Sequence, residues 1–521
     1  MVDELARIQE TNDPLAEYNL NLCSNPDETY NAAGENDIKP ILNNVNIFCG
    51  GPGATDPVCR LEGGLLQINV QNSEVEGYPL ENVYFRGFTF TQFRGRAISM
   101  QADSPTVATC EDCVFEDFAG VPTVVEILAL DTNESGAVRL INGVIQSSDD
   151  PSTTSTTVSF FENQGGLIEV EGLRISSAAA ASTIFNNYVG GSMNVRDMTV
   201  EQSEVGIVAR STGGVMTFER VTVTGNTGLE NGFDISGSGS SLVLNSVTFL
   251  DNESSADWTG IEISDGASGE ISDLTFQGNT NLLYAVAAGG PVNIESSKFI
   301  NNAGGVTQDP QSSVLTAVAG SDFSMSELEF EGNTGFYAAV SAFNGGSFDI
   351  SRSCFLSGET EYVASSDGAG TVVADAESNS VDDGAYTITG AQCTTEDEGR
   401  LFVEGGECLS FATSDVCLTQ LPDSLPPSSS PSSFPTVFAE LESGVPTAVD
   451  VEITVSPTQL GATQFPSTLF PSMLNDSQVE SLFPSSVELE PTFLPSKPPT
   501  FRPDCPEDGD DDDDDDDGKG K

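Results

Sequence analysis

The chain has 521 residues, with 80 acidic and 18 basic side chains and no histidine, for a formal net charge of −62. Nucleic acid and anionic membrane surfaces both need basic patches, so this balance excludes them as partners. No stretch approaches the ~18 consecutive apolar residues of a membrane-spanning helix. Cations, cationic proteins and neutral glycans are the partner classes left.

The opening, MVDELARIQE, has neither the basic n-region nor the apolar h-region of a secretory leader. Together with the disulfides expected below, it reads as an incomplete N-terminus. Residues 1–40 are expected to cap the array that follows. LARIQE and PLAEYNL would form a short amphipathic lid, because a repeat array needs a polar cover over its first unit.

Residues 41–395 carry a repeat. Aligned on their double glycines, GGSMNVRDMTVEQS, GGVMTFERVTVTGN, GGPVNIESSKFINN and GGSFDISRSCFLSG share one frame. The frame is Gly-Gly, a short alternating strand, a turn of two or three residues, and a second strand ending in Phe or a β-branched residue. Anchor residues recur at Phe90, Phe115, Ile145, Ile175, Val200, Val223, Phe249, Phe276, Phe299, Phe330 and Phe355. A period of roughly 20–30 residues, with Val, Ile, Thr and Phe at the periodic positions and no 3.6-residue periodicity, predicts an all-β solenoid of about eleven coils. The Leu-x-x-Leu-x-Leu frame of a leucine-rich repeat is missing, and propeller blades are longer. Asn226, Asn252, Asn279, Asn302 and Asn333 each stand three residues after an anchor. They should form a ladder at one corner, bonded to backbone and to one another, with Asn itself in the left-handed conformation. Variable segments such as 131–136 and 149–156 should loop out on one side.

Residues 396–420 lose the repeat and regain cysteine, which suggests a disulfide-stapled C-terminal cap. From 421 to 521 the chain turns to PPSSSPSSFPT, QFPSTLFPS and FLPSKPPTFRPD, followed by eight consecutive aspartates. Proline at this density forbids ladder and helix, so a disordered Pro/Ser/Thr-rich stalk with a poly-Asp end is expected. Asp510, Asp511, Asp512, Asp513, Asp514, Asp515, Asp516 and Asp517 are the weak metal candidates. They lack the spaced ligands, central Gly and terminal Glu of an EF-hand, which leaves low-affinity calcium or mineral contact beside plain solubilisation.

Cysteines cluster towards the two ends of the repeat, and Cys49, Cys59, Cys110, Cys113, Cys354, Cys393, Cys408 and Cys417 are read as disulfide-forming. Cys110-Glu-Asp-Cys113 has zinc-ligand spacing, but no second CxxC and no histidine accompany it. Disulfides imply an oxidising compartment, so the protein is expected to be extracellular or on the cell surface. Asn133, Asn252 and Asn475 open glycosylation sequons consistent with that place.

PILNNVNIFCGGPGATDPVCRLEGG and ENVYFRGFTFTQF, together with the repeat over roughly residues 40–395, resemble the right-handed parallel β-helix, or pectin-lyase-like, superfamily. The resemblance implies right-handed coiling and a loop closed by Cys49 and Cys59. It does not fix a reaction, since the fold carries lyases, hydrolases, adhesins and inert surface proteins. The hydrolase branch uses Asn-Thr-Asp, Asp-Asp, Gly-His-Gly and Arg-Ile-Lys motifs. Here only Asp149-Asp150 and Asp382-Asp383 pair in the repeat region, and a chain without histidine has no Gly-His-Gly. The lyase branch uses calcium with an Arg or Lys base; Arg94, Arg96, Arg139, Arg174, Arg196, Arg210 and Arg220 are the candidates. Each is more simply a partner for neighbouring carboxylates, with Arg174 and Arg196 pointing outward from strands. No catalytic residue is therefore named. The leading expectation is a monomeric, non-catalytic binder of polysaccharide, matrix or protein that needs no cofactor. The alternatives are a calcium-dependent polysaccharide lyase or divergent glycoside hydrolase, and a cation- or mineral-binding matrix protein.

Overall fold

The computed structural model describes residues 18–22, 29–31, 45–50, 59–62, 66–70, 83–91, 97–102, 107–116, 123–129, 136–146, 157–176, 181–188, 190–305, 312–318 and 320–356, with short stretches at 360, 362–366, 369–374, 379–381, 400–401, 403–404, 409–410 and 500–501. Among them there is no helix. The described strands form three parallel stacks, and Ser192–Glu201, Val215–Thr224, Ser241–Leu250 and Ser268–Gln277 each run through both the first and the second. The first runs from Tyr18–Leu22 through Val45–Cys49, Val83–Arg86 and onward to Thr371–Ala374. The second runs from Thr29–Asn31 through Cys59–Glu62 to Ser380–Val381. The third holds thirteen strands, beginning with Leu66–Val70. Parallel crossovers of this kind coil right-handedly, because strand twist lets the chain return only that way.

The anchor series is one continuous register column of the second stack. Phe90 pairs with Phe115, Phe115 with Ile145, Ile145 with Ile175 and Ile175 with Val200. The column continues through Val223, Phe249, Phe276, Phe299, Phe330 and Phe355. Every member is buried. The rings stack face to face, with centroids 4.5 Å apart for Phe249–Phe276 and 4.9 Å for Phe330–Phe355. Each ring removes apolar area worth about 1.5–3 kcal/mol, and stacking adds about 0.5–1.5 kcal/mol per pair.

The pairing reaches beyond the predicted coils. Leu61 and Tyr30 extend the column at one end and Val381 at the other. Tyr18–Leu22 is a strand of the first stack, paired from Tyr18↔Val45 to Leu22↔Cys49. The expected boundary at residue 41 therefore falls inside the helix. The amphipathic lid read into PLAEYNL gives way to strand, because Leu20 and Leu22 are buried in the common core and Asn19 bonds to Asn46 on the next rung. Residues 1–17 and the segments 131–135 and 149–156 lie outside the described residues.

The asparagine ladder stands at the corner between the second and third stacks. The Asn226, Asn252, Asn279 and Asn302 side chains each donate Nδ2–H to Oδ1 of the next asparagine, at 2.9, 3.0, 2.9 and 3.0 Å. The Nδ2 groups of Asn252, Asn279, Asn302 and Asn333 also donate to a backbone carbonyl of the preceding coil. Their Oδ1 atoms in turn accept the preceding asparagine's backbone N–H. The left-handed residue is not the ladder asparagine but the one before it: Gly225, Asp251, Gly278, Asn301 and Gly332. That residue makes the bend, which leaves the asparagine free to point inward and satisfy the corner's amides.

The double glycines sit at the third corner. A Cβ on Gly290 would lie 2.0 Å from the Ala267 carbonyl oxygen, and one on Gly214 would lie 2.2 Å from that of Gly191. Adjacent coils touch backbone to backbone there, and no side chain fits between them.

Replacing Asn279 by Ala removes four of these hydrogen bonds and leaves buried amides and carbonyls unpaired. Urea denaturation should show a loss of about 2–4 kcal/mol, at about 1–3 kcal/mol per orphaned group with partial relaxation. A loss below that of an ordinary exposed Asn→Ala change would contradict the ladder's role.

Candidate binding face

Strand alternation divides the side chains into a buried set and an outward set. In the third stack, Glu162, Asn186, Arg210, Asp234 and Glu262 occupy one register column on five successive rungs. All five are partly exposed, while their chain neighbours, such as Phe185 and Asn187 or Ile261 and Ile263, are buried. Successive positions are about 4.8 Å apart. The column is polar throughout and mixes amide, guanidinium and carboxylate groups.

Its internal bonds are specific. Arg210 Nε donates to Asp234 Oδ2 at 2.8 Å. Glu162 accepts from Thr123 Oγ1 and Gln164 Nε2, each at 2.7 Å. Asn186 Nδ2 donates to the hydroxyl of Tyr188 at 2.9 Å, and Tyr188 is among the few large side chains left open to solvent. Among the described residues Glu262 has no ion-pair partner. Its carboxyl is raised above the usual carboxylate range, by burial first and then by the negative charges of Asp234 and Asp265.

A second outward surface lies on the first stack, where Arg139, Glu169, Glu171, Asn194 and Arg196 line a shallow depression of about 280 Å³. Its cations are already engaged. Arg139 pairs with Glu169, and Arg196 Nε lies 3.2 Å from Glu219. At the adjoining corner Arg220 holds both Asp197 oxygens, at 2.6 and 2.9 Å. This hydrogen bonding is the main cause that lowers the Asp197 carboxyl. Nearby, Arg174 Nε donates to Glu201 at 2.7 Å. Arg174 and Arg196 point outward, as read from their strand positions. The arginines weighed as lyase bases are thus held by carboxylates on neighbouring coils, in exposed pairs that add little stability each. Arg94, Arg96, Asp149-Asp150 and Asp382-Asp383 lie outside the described residues.

Cys49–Cys59 and Cys110–Cys113 are disulfides, and Cys354 is disulfide-bonded as well. Cys110 and Cys113 flank the corner residue Asp112, which is left-handed, and both are buried. This CxxC is a covalent corner staple and not a zinc site. Cys393, Cys408, Cys417 and Asp510–Asp517 lie outside the described residues, as do Asn133 and Asn475. Asn252 is corrected by the structure. It is 1% exposed, and its Nδ2, the atom a glycan would occupy, donates to Val223 O and Asn279 Oδ1. The sequon arises because a ladder asparagine happens to precede Glu253-Ser254. Among the described residues, no group of three or more acidic, Cys or His side chains is arranged to hold a metal ion.

The third-stack column escaped the sequence reading. Its signal was a polar residue directly after an apolar one at the spacing of the repeat, in FFEN, IFNN, VARS, FDIS and IEIS. Only the register shows that these positions share a column.

No family model and no curated protein matches the chain. Among solved structures, the A-module of the Azotobacter vinelandii mannuronan C-5 epimerase AlgE4 is similar to it at 11% identity, over 64% of this chain and 91% of that one, with a TM-score of 0.17. At that identity and score the likeness assigns neither a residue nor a reaction. The class of protein the structure defines is a three-stack parallel β-helix.

Three outcomes test these side-chain environments. Because the folded Glu262 carboxyl is raised, its contribution to stability is complete below the unfolded pKa and is lost as pH rises through the folded one. Glu262→Gln should therefore be relatively more stable than the parent at pH 7 than at pH 4 in paired denaturation curves. Asp197→Asn should behave in the opposite sense, since the lowered Asp197 carboxyl contributes above the unfolded pKa and loses its effect as pH falls. Glycopeptide mapping of protein from a glycosylating host should find Asn252 unmodified; an occupied Asn252 in folded protein would contradict the ladder.

Proposed function

We propose that the protein is an extracellular, non-catalytic β-helix that binds a neutral, hydroxyl-rich glycan along the outer face of its third stack. The observation that carries this reading is the in-register column Glu162, Asn186, Arg210, Asp234 and Glu262, with Tyr188 open beside it. Carboxylates and amides bind sugar hydroxyls by charge-assisted and neutral hydrogen bonds. A rise of about 4.8 Å per coil is close to the length of one sugar ring in an extended glycan, so successive rungs meet successive sugars. An aromatic ring at the flank supplies an apolar face for stacking. Neutral polymers are favoured over uronates because a chain of charge −62 repels a polyanion and the arginine of this column is paired with Asp234. The disulfides support the oxidising compartment. A monomeric state and a cation-binding role for Asp510–Asp517 belong to the same proposal, the latter resting on composition alone.

Glu262 supports a second reading. Its carboxyl, raised chiefly by burial, stands one rung from Asp234, which accepts from Arg210, and glycoside hydrolysis uses a pair of carboxyl groups. The two readings separate in one experiment, with affinity electrophoresis and reducing-end assays run on the same neutral and uronate polysaccharides. The binding reading expects retardation by a neutral glycan, weakened about tenfold in Asn186→Ala and Asp234→Ala, as loss of a direct hydrogen bond implies, with no release of reducing ends. Release that disappears in Glu262→Gln would replace it with hydrolysis. Equal retardation by polyuronates, or none by any glycan, would remove this face from the account.

A further inference from the structure

The solenoid's first strand does not stand at the edge of its sheet. Thr500–Phe501, from the Pro-rich C-terminal segment, pairs with it in parallel, with Asn19↔Thr500 and Leu20↔Phe501. A solenoid must protect its terminal edge, since an open row of amides and carbonyls templates pairing with another chain. This segment suits that task. Pro499 and Pro503 bracket it in Pro-Thr-Phe-Arg-Pro and have no N–H to offer a further strand, so the added strand closes the sheet without presenting a new edge.

The register has a covalent consequence. Cys23 directly follows the first strand, and Cys505 lies four residues after Phe501. From the pair Leu20↔Phe501, Cys23 is three residues along one chain segment and Cys505 four along the other, so the described pairing brings the two cysteines within a few residues of each other. Residues before proline favour extended backbone, and both Arg502 and Cys505 precede one. Cys23 and Cys505 are also the two cysteines that the clustering of the other eight left without a role.

We propose that Cys23 and Cys505 form a disulfide that locks the Thr500–Phe501 strand onto the first coil as an intramolecular end cap. In its formation two thiols become one disulfide, while an incoming protein or small-molecule disulfide is reduced to two thiols and takes up both protons and both electrons. The tail is then a closed loop and not a free stalk. The poly-Asp run, five residues beyond Cys505, is tethered to the N-terminal end of the helix. The proposal is independent of the glycan reading, sharing with it only the oxidising compartment.

Thiol-blocked, non-reduced digestion of the full-length protein followed by mass spectrometry tests the bond directly. The expected result is one peptide pair joined through Cys23 and Cys505. A blocked free thiol at either position, or a link from either to another cysteine, would overturn it. Amide hydrogen exchange tests the cap. In Cys505→Ser, exchange of the 18–22 amides should quicken at least about tenfold, the loss of protection expected when a terminal strand frays, while amides of 241–250 stay unchanged. Unaltered exchange at 18–22 would overturn the capping role even if the bond exists.

Discussion

Everything in this molecule depends on one constraint: each coil must present the same kind of residue at the same place, about 4.8 Å above the last. A parallel ladder has no turn to fix its register, so side-chain identity along each column does that work. Two columns carry it here. Stacked phenylalanines gain most when aligned ring on ring. Stacked asparagines close their hydrogen bonds only with an asparagine above and below. A slip of one residue would bury the outward charges and expose the rings, so the register is specified strongly along the second stack and at its corner with the third.

The charge distribution follows from the same geometry. A body this acidic repels itself, and the few arginines are placed where they relieve that repulsion most. Arg174, Arg196, Arg210 and Arg220 each face a carboxylate one coil away. Pairing across rungs ties neighbouring coils together at small energetic gain per pair. On the third stack, the column from Glu162 to Glu262 repeats hydrogen-bonding groups at the spacing of one coil.

The ends of an array obey different rules from its middle. Inside, each coil is covered on both sides; at the ends, backbone groups and apolar rings would face water. The first described strand carries a neighbour recruited from near the C-terminus, with 480 residues between Leu20 and its register partner Phe501. Ordering so long a connection costs loop entropy that grows only slowly with length, so distance along the chain is a weak obstacle to such a cap.

The eleven anchors, the five ladder asparagines and the double glycines were legible in the sequence because each repeats at the period of one coil and each has a separate physical reason to do so. Period and residue type determined the parallel solenoid by themselves. The sequence could not show that Tyr18–Leu22 is already a coil, since a single apolar alternation with no glycine frame also fits an amphipathic lid. Nor could it separate Asn252 as ladder member from Asn252 as glycan acceptor, since the triplet is the same and only burial distinguishes them. The outward column from Glu162 to Glu262 and the pairing of Thr500–Phe501 with the first strand were decided by tertiary structure alone. Both join residues whose neighbourhood arises only once the coils have closed, when turn lengths set which positions meet.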